Sequence, residues 1–146
     1  MSSIVNVADA NISYSFELPL GGVKRRNPDA AGLIASSNHF VDPYWEIDPP
    51  GPPDDTVLRR DNLLALANAN KGRLNLEKMK QIMDTYIPQG GATNPGTIFQ
   101  IIAIPRDLTM WLKAPGTFDW QEIELAGLFS RQQDPAHPFI LPSNKE

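Results

Sequence analysis

Residues 97–116 read TIFQIIAIPRDLTMWLKAPG. From Ile98 to Ile104 the run is almost continuously apolar, Pro105-Arg106-Asp107 interrupts it, and Leu108 to Ala114 resumes it. Two apolar runs of strand length around a turn signal predict a β-hairpin. A first strand this apolar expects cover on both faces. The next segment, FDWQEIELAGLF at 118–129, reads as an edge strand or extended segment.

Two helices precede the hairpin. In DDTVLRRDNLLALANANKG, 54–72, Asp54, Asp55 or Thr56 can cap the start. Leu63, Leu66 and Ala67 then share a face, and Gly72 is the stop. In LNLEKMKQIMDTYIP, 74–88, Asn75 is the cap, Leu76, Met79, Met83 and Tyr86 line one face with Ile82, and Pro88 ends the pattern. Such a methionine stripe is a core face. Further back, SIVNVADANISYSFELPL, 3–20, predicts two strands around a tight turn closed by Asp9. Ile12, Tyr14, Phe16 and Leu18 alternate there with Ser13, Ser15 and Glu17. GGVKRRNPD reads as a solvated basic loop, and AAGLIASS, 30–37, as a third strand. Residues 41–55 hold five prolines and a glycine, which forbid regular structure; Tyr44 and Trp45 should pack this loop down. The order β-β-β, α-α, β-β predicts an α+β fold with a mainly antiparallel sheet and two adjacent helices. Residues 1–130 form one partial domain in this reading, and 131–146 an extended, polar, proline-rich tail.

Composition narrows the function. The chain has 146 residues, 41 % hydrophobic and 21 % charged, which suits one globular domain. It has no apolar run long enough for a membrane span and no basic-then-apolar start, so neither membrane nor secretory signal is expected and a cytoplasmic location follows. The net charge of −4 argues against nucleic acid. With no cysteine and two histidines, His39 and His137, thiolate and His-rich metal sites and a cysteine nucleophile are excluded, and no metal or cofactor is expected. QGGATNPG, 89–96, is glycine-rich but lacks the Gly-Lys-Ser/Thr ending and precedes a strand, so it is no phosphate cradle.

One stretch stands out. In LIASSNHFVDPYW, 33–45, an apolar run ends in Ser36, Ser37, Asn38 and His39. A turn is one reading; amide donors aimed at a ligand are the other. "SNHF", the proline-rich loop, "TVLRRDNLLAL", "GRLNLEKMKQIMD" and "TIFQIIAIPRDLTMWLKAPG", in that order, resemble the C-terminal half of the acyl-coenzyme A:6-aminopenicillanic acid acyltransferase family. These are N-terminal-nucleophile hydrolases and acyltransferases, more distantly related to the choloylglycine hydrolases. The resemblance runs from about Ile4 to Phe129 and rests on order and spacing.

The resemblance implies the second half of a four-layer αββα sandwich and cleavage of an amide or thioester by an N-terminal nucleophile, usually cysteine. By position it makes Asn38 the oxyanion-hole donor, a contribution of about 3 kcal/mol to the transition state. Thr56-Val57-Leu58-Arg59 matches the family's small-hydroxyl-x-x-Arg pattern and makes Arg59 the active-site arginine, with Arg60 its rival. The departure is that this chain holds no cysteine, and the half bearing the nucleophile is not in it. Ser2, exposed by loss of Met1, is the one substitute, although its strand matches a late strand of the family. The expected partners are therefore a nucleophile-bearing chain or further copies of this one, with a small acyl-amide as substrate. The alternative is a non-catalytic remnant or a binding or oligomerisation domain. His39 reads as structural, and His137, between Pro135 and Pro138, as exposed.

Overall fold

The computed structural model describes residues 3–9, 11–30, 32–51 and 54–127. Strands β1 (Ser3–Ala8), β2 (Ser13–Leu18) and β3 (Lys24–Arg26) form one antiparallel sheet in that order. Helices α1 (Thr56–Ala69) and α2 (Leu76–Asp84) follow, then β4 (Gln100–Ile104), β5 (Thr109–Ala114) and β6 (Phe118–Glu124) form a second three-stranded antiparallel sheet. The class is α+β.

Local chemistry explains most elements. Asp9 closes the first turn: its carboxylate accepts from the backbone N–H of Asn11 (2.7 Å) and Ile12 (2.9 Å), which holds its pKa below the usual carboxylate value. Asn75 caps α2 by accepting from Lys78 N–H at 2.9 Å. At α1 it is Asp54 whose side chain reaches back, accepting from Thr56 N–H at 2.8 Å. Pro105–Asp107 forms a short 3₁₀ turn between β4 and β5, with Leu108 left-handed at φ 48°.

Three expectations need correction. Lys24-Arg25-Arg26 is a strand, not a loop. Its cations are placed by neighbours: Arg26 reaches Glu17 at 3.2 Å, Lys24 Nζ sits 3.6 Å over the Tyr44 ring, and Arg25 lies over Tyr14. AAGLIASS is not a strand; residues 32–42 run as irregular backbone, and Ala35 offers its carbonyl to Arg26 Nη2 at 3.0 Å instead of to a ladder. Helix α2 stops at Asp84, two residues short of Tyr86. The cause is the loop after it: Ile87 N–H donates to Thr93 C=O (2.9 Å) and Thr93 N–H to Thr85 C=O (3.2 Å), pulling the backbone away from the helix axis.

Burial is also inverted relative to a simple amphipathic reading. In β2 the buried side chains are Ser15 and Glu17, both 0 % exposed. Tyr14, Phe16 and Leu18 face the other side with Val5 and Val7 of β1; the three β2 side chains are half-buried there and the two valines are exposed, Val7 at 52 %. The second sheet repeats the pattern. Gln100 and Ile102 of β4 are buried toward α2, where Ile82 packs, whereas Phe99 (60 %) and Ile101 (44 %) are exposed. Ile101 pairs with Leu112, and Ala103 with Met110, so the open side is a continuous apolar face. The double cover expected for Ile98–Ile104 is absent among the described residues. On the covered side Lys80 stacks 3.7 Å over Trp111, and Asp84 accepts from Lys113 (2.9 Å) and Trp120 (3.2 Å).

Candidate functional site

The Ser36–His39 stretch stitches the first sheet to the start of α1. Ser36 Oγ donates to Asn6 Oδ1 (3.1 Å) and lies 2.9 Å from Ser15 Oγ. Ser37 Oγ donates to Thr56 C=O at 2.7 Å. His39 Nδ1 lies 3.0 Å from Ser37 Oγ and 3.1 Å from Thr56 Oγ1. Asn38 points the other way and stays exposed. The four polar residues are thus both a turn and the wall of a cleft.

Arg59 and Asn38, 21 positions apart, are brought together: Arg59 Nη2 donates to Asn38 Oδ1 at 3.0 Å. Arg59 is itself held one turn back, its Nε on Asp55 Oδ1 at 2.7 Å, and Asp55 Oδ2 accepts from Asn94 Nδ2 at 3.3 Å. A guanidinium has donors alone, so it can meet only the oxygen of the Asn38 amide. The Asn38 Nδ2 donors are therefore turned away from Arg59, and no described residue accepts from them. Arg60 takes another direction. It pairs with Asp61 at 2.8 Å and lines an adjoining opening of about 440 Å³ beside Asp42 and Glu46, which shares His39, Phe40, Ile47 and Asp48 with the cleft that Asn38 lines.

Asn38 and His39 share an open cleft of about 700 Å³. Ile4, Phe40, Ile47 and Pro50 give it apolar walls; Asp48 and Asp54 stand on its rim. Burial, and then the Arg60 charge, lower the His39 pKa, against smaller opposing effects of Asp54, Asp61 and Glu17. Hydrogen bonds from Thr56 lower that of Asp54. A second opening of about 710 Å³, over Leu74, Met79, Ile104 and Trp111, holds neither Asn38 nor Arg59.

Glu17 holds the far side of this loop, a role not legible in an alternating strand. Its Oε1 accepts from Val41 N–H (2.8 Å) and Arg26 Nη1 (3.2 Å), its Oε2 from Asp42 N–H (3.0 Å) and Trp45 Nε1 (3.1 Å). Four donors on one buried carboxylate fill its acceptor sites and offset the cost of removing it from water. This is how Trp45 packs the proline-rich loop down, with Phe40 6.4 Å away ring to ring. The 89–96 loop is likewise structural: Asn62 Nδ2 donates to Gly91 C=O at 2.8 Å, tying α1 to it.

Ser2, His137 and the 131–146 tail lie outside the described residues. Among the described residues no helix is long and apolar enough to cross a membrane, and no three His, Asp or Glu side chains gather as a metal site. No protein-family model matches the chain, and a search of curated proteins finds no match.

Proposed function

We propose that this chain is the C-terminal portion of an amide hydrolase or acyltransferase that works with a separate nucleophile-bearing chain. Asn38 donates to the carbonyl oxygen as it becomes an oxyanion, and Arg59 keeps the Asn38 amide turned so that its N–H groups face the substrate. The observation that carries this reading is the 3.0 Å bond from Arg59 to Asn38 Oδ1, which leaves Nδ2 unpaired among the described residues beside a cleft with apolar walls. A preorganised donor of this kind acts where charge develops, not on the ground state. The exposed Phe99 and Ile101 of β4, with Val5 and Val7 of β1, support the need for a second chain. The substrate class is a small acyl-amide, and the compartment is the cytoplasm.

The test begins by recovering the partner with the tagged chain from its native cells. The reconstituted pair should hydrolyse an acyl-p-nitroanilide, and Asn38→Ala should lower kcat about 100- to 1,000-fold with KM little changed. Activity unchanged by Asn38→Ala would refute the assignment. A second reading, a non-catalytic oligomerisation domain, draws on the absence of cysteine and on the same exposed apolar side chains. Stable self-assembly, with no amidase activity in any recovered complex, would favour it.

A further inference from the structure

Asp55 stands where a helix is usually capped, and it does not cap. It is the residue before α1, yet its side chain makes no hydrogen bond to the first turn. Asp54 takes that bond instead, accepting from Thr56 N–H at 2.8 Å. The Asp55 carboxylate serves two other donors: Oδ1 accepts from Arg59 Nε at 2.7 Å, and Oδ2 from Asn94 Nδ2 at 3.3 Å. Asn94 has no choice of direction. Its Oδ1 accepts from Gly96 N–H at 2.9 Å, which leaves its NH₂ for Asp55. Its backbone is held as well: Asn94 N–H donates to Thr97 Oγ1 at 3.1 Å, and Thr97 N–H to Asn94 C=O at 3.0 Å. A line of hydrogen bonds therefore runs from the turn before β4, through Asp55 and Arg59, to Asn38.

An arginine side chain has much rotamer freedom, and that of Arg59 is 23 % exposed. A single hydrogen bond to Asn38 would leave it able to swing. The guanidinium is planar and rigid, so a second hold at Nε fixes the line along which Nη2 meets Asn38 Oδ1. A part-exposed i,i+4 ion pair adds little to stability, which leaves orientation as its larger consequence.

We propose that Asp55 is a positioning residue: backed by Asn94, it locks Arg59, and through Arg59 it sets the direction of the Asn38 Nδ2 donors. This rests on the reading of Asn38 as the oxyanion donor. Loosening the line should lower kcat and spare KM, because substrate still enters while the donor is misdirected as charge develops.

The experiment is side-chain ¹⁵N NMR on the whole chain, with asparagine and arginine labelled, for wild type, Asp55→Ala, Asp55→Asn and Asp54→Ala. Asp55→Ala should speed exchange of the Arg59 Nε–H with water about tenfold and move the Asn38 amide signals toward those of a free asparagine, with the urea midpoint nearly unchanged. Asp55→Asn keeps one acceptor and should restore part of both signals. Asp54→Ala removes the cap, so it should lower the urea midpoint and leave both signals in place. If Asp55→Ala moves neither signal, or Asp54→Ala moves them as far, the positioning role is refuted while the oxyanion reading of Asn38 survives. In the reconstituted pair, Asp55→Ala should lower kcat about 10- to 100-fold with KM little changed, and Asp55→Asn should recover part of it; a change in KM alone overturns the proposal. If Asn38→Ala leaves kcat unchanged, both readings fall.

Discussion

Replacing Glu17 by glutamine tests whether one buried carboxylate sets the loop that follows Asn38 and His39. The amide that replaces it has one oxygen and one NH₂. If the oxygen keeps Asp42 N–H and Trp45 Nε1, the NH₂ faces Val41 N–H and Arg26 Nη1; if it turns, the other two donors are opposed. Either way two donors lose their acceptor, each at about 1–3 kcal/mol when buried. Arg26 also loses its ionic partner, and removing one member of a buried pair typically costs about 3–5 kcal/mol. Arg26 is 18 % exposed and recovers part of this in water. We expect a loss of about 3 kcal/mol. With a urea slope of about 2 kcal/mol/M, the midpoint falls by about 1.5 M. Urea unfolding followed by tryptophan fluorescence measures it, and the Val41 and Asp42 amides should exchange faster in the variant. A midpoint within about 0.3 M of wild type, with both amides still protected, would refute the reasoning.

Three further outcomes follow from the geometry. Burial holds the folded His39 less basic than in the unfolded chain, so the unfolded state binds the proton more readily. Its contribution to stability is full above about pH 6.5, the unfolded value, and is lost as pH falls through the lower folded pKa; urea midpoints across pH 5–8 should show this slope in wild type and not in His39→Asn. The lowered carboxylates Asp9 and Asp54 act in the same direction but below about pH 4, where they leave the histidine window clear. Gly91→Ala should cost about 3 kcal/mol or more, because a Cβ there would lie 1.9 Å from the Thr85 carbonyl oxygen and backbone must move; a thermal melt matching wild type would contradict this. Light scattering of the purified chain should show self-association that Ile101→Lys weakens, since the charge sits on the open apolar face; a wild-type monomer at all concentrations would count against a partner for that face.

Much of the scaffold was legible because it is local. The 98–114 hairpin, both helix starts, Asn75 as a cap and Asp9 as a turn residue depend on neighbours within a few positions. What escaped depends on distant partners. Alternation in β2 separates Tyr14, Phe16 and Leu18 from Ser15 and Glu17, but does not say which side is covered, and three of the four donors on Glu17 come from positions 24 to 28 residues later. Lys24-Arg25-Arg26 reads as solvated loop until Glu17 and two tyrosines are placed beside it. Leu33-Ile34-Ala35 is too short an apolar run to separate strand from coil. In the candidate site, Asn38 and Arg59 came from the family resemblance and not from residue types alone, and only the fold brings Arg59 Nη2 onto Asn38 Oδ1.

The position of β4 has a consequence for handling the chain. It lies at the edge of its sheet, and the window from Ile98 to Ile104 has neither charge nor proline. Unpaired backbone groups beside bare isoleucine and phenylalanine are a template on which identical segments can stack, rung upon rung, into a cross-β filament. A second chain of the kind proposed above, laid against this strand, would also act as its chaperone, and concentrated preparations of the chain alone should be watched with an amyloid dye.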